Sequence, residues 1–402
     1  MTSAAHPSTL APPPRADMDR GGIARLAGGH FMIDATVGAV PAMLPVFTAI
    51  YGLSDLRASM ILATSLLVSS ATQPLFGLVA DRRATPAFLW GGVAVAGVGL
   101  ALAGLAGGYA GILACVAGSG LGVAAFHPEA ARVANRLSAG RPATGLAWLM
   151  VGGNGGFAVG PLLAALAIPL LDARATLVFL LPALAVALWL RHARRELTVP
   201  VPAADPAAPP PPPADTRGIG LLLVVTSLRT WSQFGLLALF PLLLVDTRGL
   251  SDQQAGLTVA AFSGAGAVGT VAGAMFADRM GGRRLLVRSL PLATPLAAAA
   301  LLTEGAASTI AFALVGFVLL SSFSVTVMMG QEYLPGRLAL AAGLMIGFGA
   351  IGSAAPGLAL FGVIADTAGR ETALWCIAAL PALAGLLALM LPGPRAGVPA
   401  AA

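Results

Sequence analysis

The sequence predicts an all-α membrane protein with twelve transmembrane helices in two pseudo-symmetric six-helix bundles. Three observations carry that expectation: an apolar composition, apolar runs that recur along the chain with brief polar breaks, and an internal repeat that divides it in two. Hydrophobic residues are 57% of the 402 positions and charged residues 10%, with a mean hydropathy of +0.86. Soluble domains carry about 25% charged residues, so most of this surface has to face lipid.

The composition excludes several function classes. The pI near 10.5 is not a nucleic-acid footprint, because the charges do not form a stripe but punctuate the gaps between apolar runs. Cys115 and Cys376 both lie inside apolar runs and read as small packing residues, not as a disulfide or a metal centre. There is no metal-ligand spacing, no phosphate-binding GxxxxGKS/T loop and no nucleophile and base at helical spacing. No cofactor, no catalytic site and no ATP-driven pump are expected.

Apolar runs bounded by turn residues give spans near 25–49, 56–78, 86–107, 109–136, 142–168, 172–192, 218–245, 252–277, 285–303, 306–333, 338–365 and 370–392. Residues 1–24 lack the apolar core and cleavage site of a signal peptide and read as a cytoplasmic tail; 393–402 read as a second. Residues 193–217, with a proline run from Pro209 to Pro213, favour extended polyproline and read as a cytoplasmic linker. That linker separates a bundle at 25–192 from a bundle at 218–392.

Orientation rests on arginine, since lysine is absent. With both termini inside, eighteen arginines fall on the cytoplasmic side, while Arg57, Arg174, Arg248 and Arg370 fall opposite and Arg229 is left within a span. The bias follows the positive-inside rule and runs through both halves.

The halves repeat at a nearly constant offset. YGLSD (51–55) matches RGLSD (248–252), ADR (80–82) matches ADR (277–279), Pro45 matches Pro241, and Pro161 matches Pro356. Four landmarks in one register mean parallel six-helix repeats. Both GLSD elements offer a serine to cap the following helix, and Ser251 with Gln254 has capping-box spacing.

Two loops carry a signature. GLVADRR (77–83) follows the second span and GAMFADRMGGRR (273–284) the eighth. They resemble the signature loop of the major facilitator superfamily, and the resemblance makes Gly77, Asp81, Arg82, Arg83, Asp278 and Arg279 gate residues. In that reading glycine admits a close helix approach, and a carboxylate among arginines exchanges partners as the gate works. The second copy has Ala274 where the first has Gly77. The alternative for the arginines is orientation alone, favoured for Arg283, Arg284 and Arg288.

GHFMIDATVGAVPAMLPVF (29–47), QPLFGLVADRR (73–83), GSGLGVAAFHPEAARVA (118–134) and VGGNGGFAVGPLLAAL (151–166) are similar to the fosmidomycin-resistance-like drug efflux proteins of that superfamily. The second half matches at superfamily level only. This resemblance implies proton-coupled export, a monomer and no partner but a small-molecule substrate, protons and the bilayer. VGGNGGFAVGP resembles the antiporter motif of the fifth helix through Gly156, Gly160 and Pro161, with ordinary tight packing the alternative.

Ionisable groups inside the spans are few and informative, because each is costly in lipid unless paired or hydrated. Asp34 lies about nine residues into the first span, roughly 14 Å along it, and Arg229 has a similar depth on the seventh. The superfamily resemblance sets the two helices across a central cavity, so Asp34 is expected to be the protonatable group, with Arg229 its counter-charge or an anion anchor. A permanent ion pair, or an Asp34 that caps local backbone, is the alternative. His30 is one turn before Asp34 and can share a proton with it or be solvated near the interface. His127 and Glu129 sit near the cytoplasmic end of the fourth span; Glu129 is a proton-relay candidate, with a local salt bridge to Arg132 or Arg136 the leading reading. Gln331 and Glu332 are their weaker counterparts. Gln73, Asn154 and Gln233 can supply hydrogen bonds to a substrate or bridge helices, and Trp148 and Trp231 can stack on one.

The functional expectation is a proton-coupled exporter of a drug or small metabolite in a bacterial inner membrane, working by alternating access around a midplane cavity. The rivals are proton-coupled uptake of a small organic anion through Arg229, and a receptor that kept the fold without transport. Fosmidomycin is a phosphonate anion, and an anion held by Arg229 would be helped by protonation of Asp34, which is symport logic. Export of such anions therefore requires a second proton site or the membrane potential.

Overall fold

The computed structural model describes residues 17–53, 55–201, 212–250 and 252–393. The first half contributes α1 (Arg20–Tyr51), α2 (Asp55–Arg82), α3 (Ala87–Ala103), α4 (Tyr109–Leu137), α5 (Pro142–Leu171) and α6 (Leu180–His192). The second contributes α7 (Thr216–Arg248), α8 (Asp252–Met280), α9 (Gly282–Leu302), α10 (Gly305–Tyr333), α11 (Leu338–Ala368) and α12 (Arg370–Ala388). Ten helical stretches are long and apolar enough to cross a membrane. One of them, Pro142–His192, covers 51 residues, about 76 Å as a straight helix, and cannot be one span. It turns at Asp172, whose φ of 53° breaks the α-helix, and a 3₁₀ segment over Asp172–Phe179 leads into α6. With the shorter Ala87–Ala103 the spans number twelve.

The helices overrun the expected spans where capping allows. α1 begins at Arg20, not near 25, because Asp19 accepts a hydrogen bond from Gly22 N at 3.0 Å. α7 begins at Thr216 because Asp215 does the same for Gly218 at 2.7 Å. Both aspartates also donate their own N–H, Asp19 to Leu137 O at 2.9 Å and Asp215 to Tyr333 O at 2.8 Å. Each capping contact in one half is thus repeated 196 residues on in the other. α1 and α7 end alike, on Gly52 and Gly249 with φ of 58° and 65°, a left-handed stop that glycine adopts without strain. Ser54 and Ser251, the expected caps of the next helices, lie outside the described residues. α10 is interrupted at Ser322, and α11 contains a wide-turned π segment over Gly343–Gly352.

The most extensive seam within the first half joins α1 to α5. A Cβ on Gly152 would stand 2.1 Å from Ala27 O, one on Gly156 2.1 Å from Phe31 O, and one on Gly160 2.2 Å from Ala35 O. The three glycines recur every four residues and so form one stripe, on which the backbone of α1 lies directly.

The halves meet on the side that carries both termini. Asp81, at the end of α2, accepts hydrogen bonds from Ala339 N and Leu340 N, each at 2.8 Å, at the start of α11. Asp278, at the end of α8, accepts from Ala143 N at 3.2 Å and Thr144 N at 3.0 Å, and from the Thr144 hydroxyl, at the start of α5. Between these two locks, Asn135 Nδ2 of α4 donates to Gln331 Oε1 of α10 at 2.7 Å. The expectation of a carboxylate among arginines needs correction. Arg82, Arg83 and Arg279 are exposed, and the carboxylates take helix N-termini of the opposite half as partners, where free N–H groups and the helix dipole attract an anion. Gly77 admits this approach, since a Cβ there would stand 2.6 Å from Ala339 O.

Two outcomes follow. Gly156→Ala should cost about 1–3 kcal/mol by overpacking, seen as a lower melting temperature in detergent. Gly220→Ala, at a helical glycine with open space around it, is the control; equal melting of the two variants would remove the seam as a constraint. Removing both locks with Asp81→Ala and Asp278→Ala should expose the termini side. A cysteine replacing Ala131, in a background without Cys115 and Cys376, should then react with maleimide about tenfold faster or more, and an unchanged rate would mean the locks do not hold that side closed.

Candidate functional site

Three of the ionisable groups inside the spans gather at one place. His30 and Asp34 stand one turn apart on α1, and α4 brings His127 to the same point. All three are buried, at 3%, 6% and 2% exposure. His30 Nε2 lies 3.2 Å from Asp34 Oδ2, and His127 Nε2 lies 3.6 Å from Asp34 Oδ1. The two imidazole rings meet edge to face, with Nε2 to Nε2 at 3.0 Å.

The other ring nitrogens fix where the hydrogens are. His30 Nδ1 is 2.8 Å from Leu149 O, and His127 Nδ1 is 2.8 Å from Val123 O. A carbonyl oxygen only accepts, so each Nδ1 carries a hydrogen. Two neutral rings of that tautomer would turn lone pairs toward each other at Nε2. A hydrogen bond between them requires one further hydrogen, making one ring an imidazolium beside the Asp34 carboxylate. The three side chains thus form a buried site at which a proton or another cation can be held beside the Asp34 carboxylate.

Room for the cluster comes from Gly153 of α5. A Cβ there would stand 2.5 Å from Asp34 Oδ2 and 2.6 Å from His30 Nε2. α5 therefore does two things: its glycine seam brings it onto α1, and through Gly153 and the Leu149 carbonyl it covers Asp34 and orients His30.

The other expected residues are distributed around this centre. Asp34 and Arg229 form no ion pair with each other, which corrects the expected pairing; Asp34 already has two imidazoles at hand. Arg229, 2% exposed, donates to Gln233 Oε1 at 2.8 Å and Thr230 Oγ1 at 3.0 Å, and its guanidinium carbon lies 5.2 Å from the Phe323 ring centroid. Glu129, fully buried, takes both Arg132 Nε and Nη2 at 2.8 Å, while Arg132 also reaches Val199 O at 3.2 Å. That bidentate pair is the local salt bridge, not a link to Asp34. Gln73 is buried against Gly343 and Gly347 of α11, with its Nε2 on Ser69 Oγ at 3.2 Å and its Oε1 unpaired. Asn154 Nδ2 is likewise unpaired. Trp231 is a packing residue between α7 and α11, not an open stacking platform: it donates to Ser353 O at 2.6 Å and lies on Gly357. Trp148 is 47% exposed. Pro161 lies within α5, one residue past the last glycine of the seam.

Sequence reasoning named His127 with Glu129 at the end of the fourth span without joining it to Asp34, and it passed over Gly153. The signal for His127 was an ionisable group in an apolar run with a second histidine at comparable depth. For Gly153 the sequence showed a glycine among many.

Comparison with known proteins agrees with this architecture. The family model described as Major Facilitator Superfamily matches residues 26–356. The chain is 32% identical over 376 residues to the fosmidomycin resistance protein of Escherichia coli (strain K12), with 91% of each chain covered. It is also 32% identical over 375 residues to the uncharacterised MFS-type transporter YfnC of Bacillus subtilis (strain 168), covering 90% of each. Among solved structures, the transporter FucP in its outward conformation has a TM-score of 0.70 at 13% identity, covering 92% of this chain and 98% of FucP. A bacterial homologue of the iron transporter ferroportin in an outward-facing state has a TM-score of 0.70 at 16% identity, covering 92% of this chain and 99% of that one. Two bundles related by a sequence repeat, joined by locks on the termini side and enclosing a buried titratable cluster, are the work of a non-enzymatic membrane transporter, and this chain belongs to the major facilitator superfamily.

Proposed function

We propose that the protein is a proton-driven exporter of a small molecule in a bacterial inner membrane, with both termini in the cytoplasm and the His30–Asp34–His127 cluster as its coupling site. The observation that carries the reading is the pair of Nε2 atoms 3.0 Å apart, each ring committed through Nδ1 to a carbonyl. Such a pair binds one proton and, once it has lost it, has no attractive contact left between the rings. Proton occupancy is thereby tied to the distance between α1 and α4.

The closed termini side supports the direction. A proton held while that side is sealed is what an exchanger needs if it loads protons from the far side and releases them inward. When the locks part, α4 and α5 move relative to α1, the histidines separate or hydrate, and the proton leaves to the cytoplasm. The name of the 32% identical relative, a resistance protein, supports export over uptake. Uptake of a small organic anion is the second reading, favoured by Arg229 having no carboxylate beside it.

Inside-out vesicles with an imposed acid-inside gradient separate these. Wild-type protein should accumulate substrate with evoked proton efflux, tested with fosmidomycin and a panel of neutral and cationic drugs. Asp34→Asn and His127→Gln should each abolish proton-coupled accumulation while leaving protein levels intact. Coupled transport by Asp34→Asn would sink the proposal, and proton and substrate moving in the same direction would replace export with uptake. Chelation of divalent metals should change nothing, and loss of transport on chelation would assign the cluster to a metal ion instead of a proton.

A further inference from the structure

Among the described residues, the charges buried in the bundles are matched at every place but one. Arg132 is held by Glu129, and Asp34 by His30 and His127. Arg229 alone faces only neutral groups. Its Nη atoms rest on an amide and a hydroxyl oxygen, its Nε has no hydrogen-bond partner, and a ring lies beside it. A guanidinium buried without a carboxylate is costly in a low-dielectric interior. The two neutral hydrogen bonds and the Phe323 ring offset only part of that cost, and Nε is left without a partner.

The neighbouring side chains have a common chemistry. Thr226, Arg229, Thr230 and Gln233 occupy positions i, i+3, i+4 and i+7 of α7, which is one face of a helix. Thr226 is 1% exposed with an unpaired hydroxyl, and Thr230 is fully buried. Gln233, one turn farther from the termini side, is partly exposed, so the stripe runs from a more open end to a closed one. Its members offer a guanidinium fork, two hydroxyls and an amide, all able to donate, with no carboxylate among them. The Gln233 and Thr230 oxygens now held by Arg229 are neutral acceptors that a charged oxygen would outcompete, because hydrogen bonds to an ionised acceptor are about twice as strong.

We propose that Arg229 is a substrate-binding residue and that the substrate bears an oxyanion, a carboxylate, phosphate or phosphonate, which replaces Gln233 and Thr230 on the guanidinium, with Thr226 donating beside it. The inference concerns the substrate and not the proton, and it holds whether or not the histidine pair carries coupling.

The test is equilibrium binding to the purified full-length protein in nanodiscs, with no gradient, so that a failure of coupling cannot be mistaken for a failure of binding. Thermal stabilisation is measured with fosmidomycin and its neutral phosphonate diester, and with a panel of aliphatic and aromatic carboxylates and phosphonates, each paired with its methyl ester. Acids should stabilise the wild type where their esters do not. Arg229→Gln should weaken that binding about tenfold or more, and Arg229→Lys, which keeps the charge but not the fork, should retain the preference for acids at lower affinity. Arg229→Met should melt at or above the wild type, since it removes an uncompensated charge. A panel in which no acid outperforms its ester overturns the proposal. So does unchanged acid binding by Arg229→Gln, or an Arg229→Met variant that melts far below the wild type or does not fold, which would make the guanidinium a structural residue.

Discussion

The direct contact of α1 backbone on the glycine stripe of α5 is the constraint from which the rest of this structure follows. In lipid the hydrophobic effect does not draw helices together, so association relies on dispersion at close range and on hydrogen bonds. Gly152, Gly156 and Gly160 leave no side chain between the helices, so Ala27, Phe31 and Ala35 meet α5 at their carbonyls. This fixes both the rotation and the height of α1. Those two parameters decide that His30 and Asp34 point at Gly153 and Leu149, and that α4 can close the remaining side with His127. A wider seam would admit water to the cluster or leave its polar atoms unpaired.

Charge is handled differently in the two environments. At the membrane edge, Asp81 and Asp278 face helix N-termini, where unsatisfied N–H groups give an anion a site without a cation. Inside, among the described residues, the buried carboxylates Asp34 and Glu129 have histidine and arginine partners within the same bundle. The locks thus join the halves, while the buried pairs, Glu129–Arg132 and the histidine cluster, both lie within the first half. The contacts between the halves thus lie toward the rim, where water can replace a lost partner at small cost.

Much of the architecture was legible in the sequence because lipid imposes simple rules. Apolar length, arginine asymmetry and a repeat offset near 196 suffice for twelve spans in two sets. Helix ends were misjudged at α1 and α7, where an aspartate cap carries the helix beyond the apolar run, and the breaks at Ser322 and Gly343–Gly352 leave no hydropathy signal at all. Within the site, Asp34 and His30 were visible as charges at helical spacing. The expected partnership of Asp34 with Arg229 rested on equal depth, and depth does not determine azimuth: rotation about the helix axis set the aspartate toward α4 and α5. His127 was read with its neighbour Glu129 as one interfacial group, although the two side chains, two positions apart on a helix, point about 200° apart.

Asn135 and Gln331 are 196 positions apart, the offset of the two aspartate caps and within one residue of the 197 that separates Asp81 from Asp278. Each is therefore the counterpart of the other, and two counterparts touch only on the axis that relates the halves. In a symmetric dimer of six-helix units, a residue on that axis meets its own copy, and the two locks are one contact written twice. Any change to one is a change to both. A fused chain is released from that identity. An asparagine can be set against a glutamine, one lock can gain the Thr144 hydroxyl while the other keeps two backbone donors, and one half can keep a histidine–aspartate cluster where the other keeps an arginine. The pseudo-axis through this single amide pair marks where duplication allowed two copies of a bundle to divide their labour.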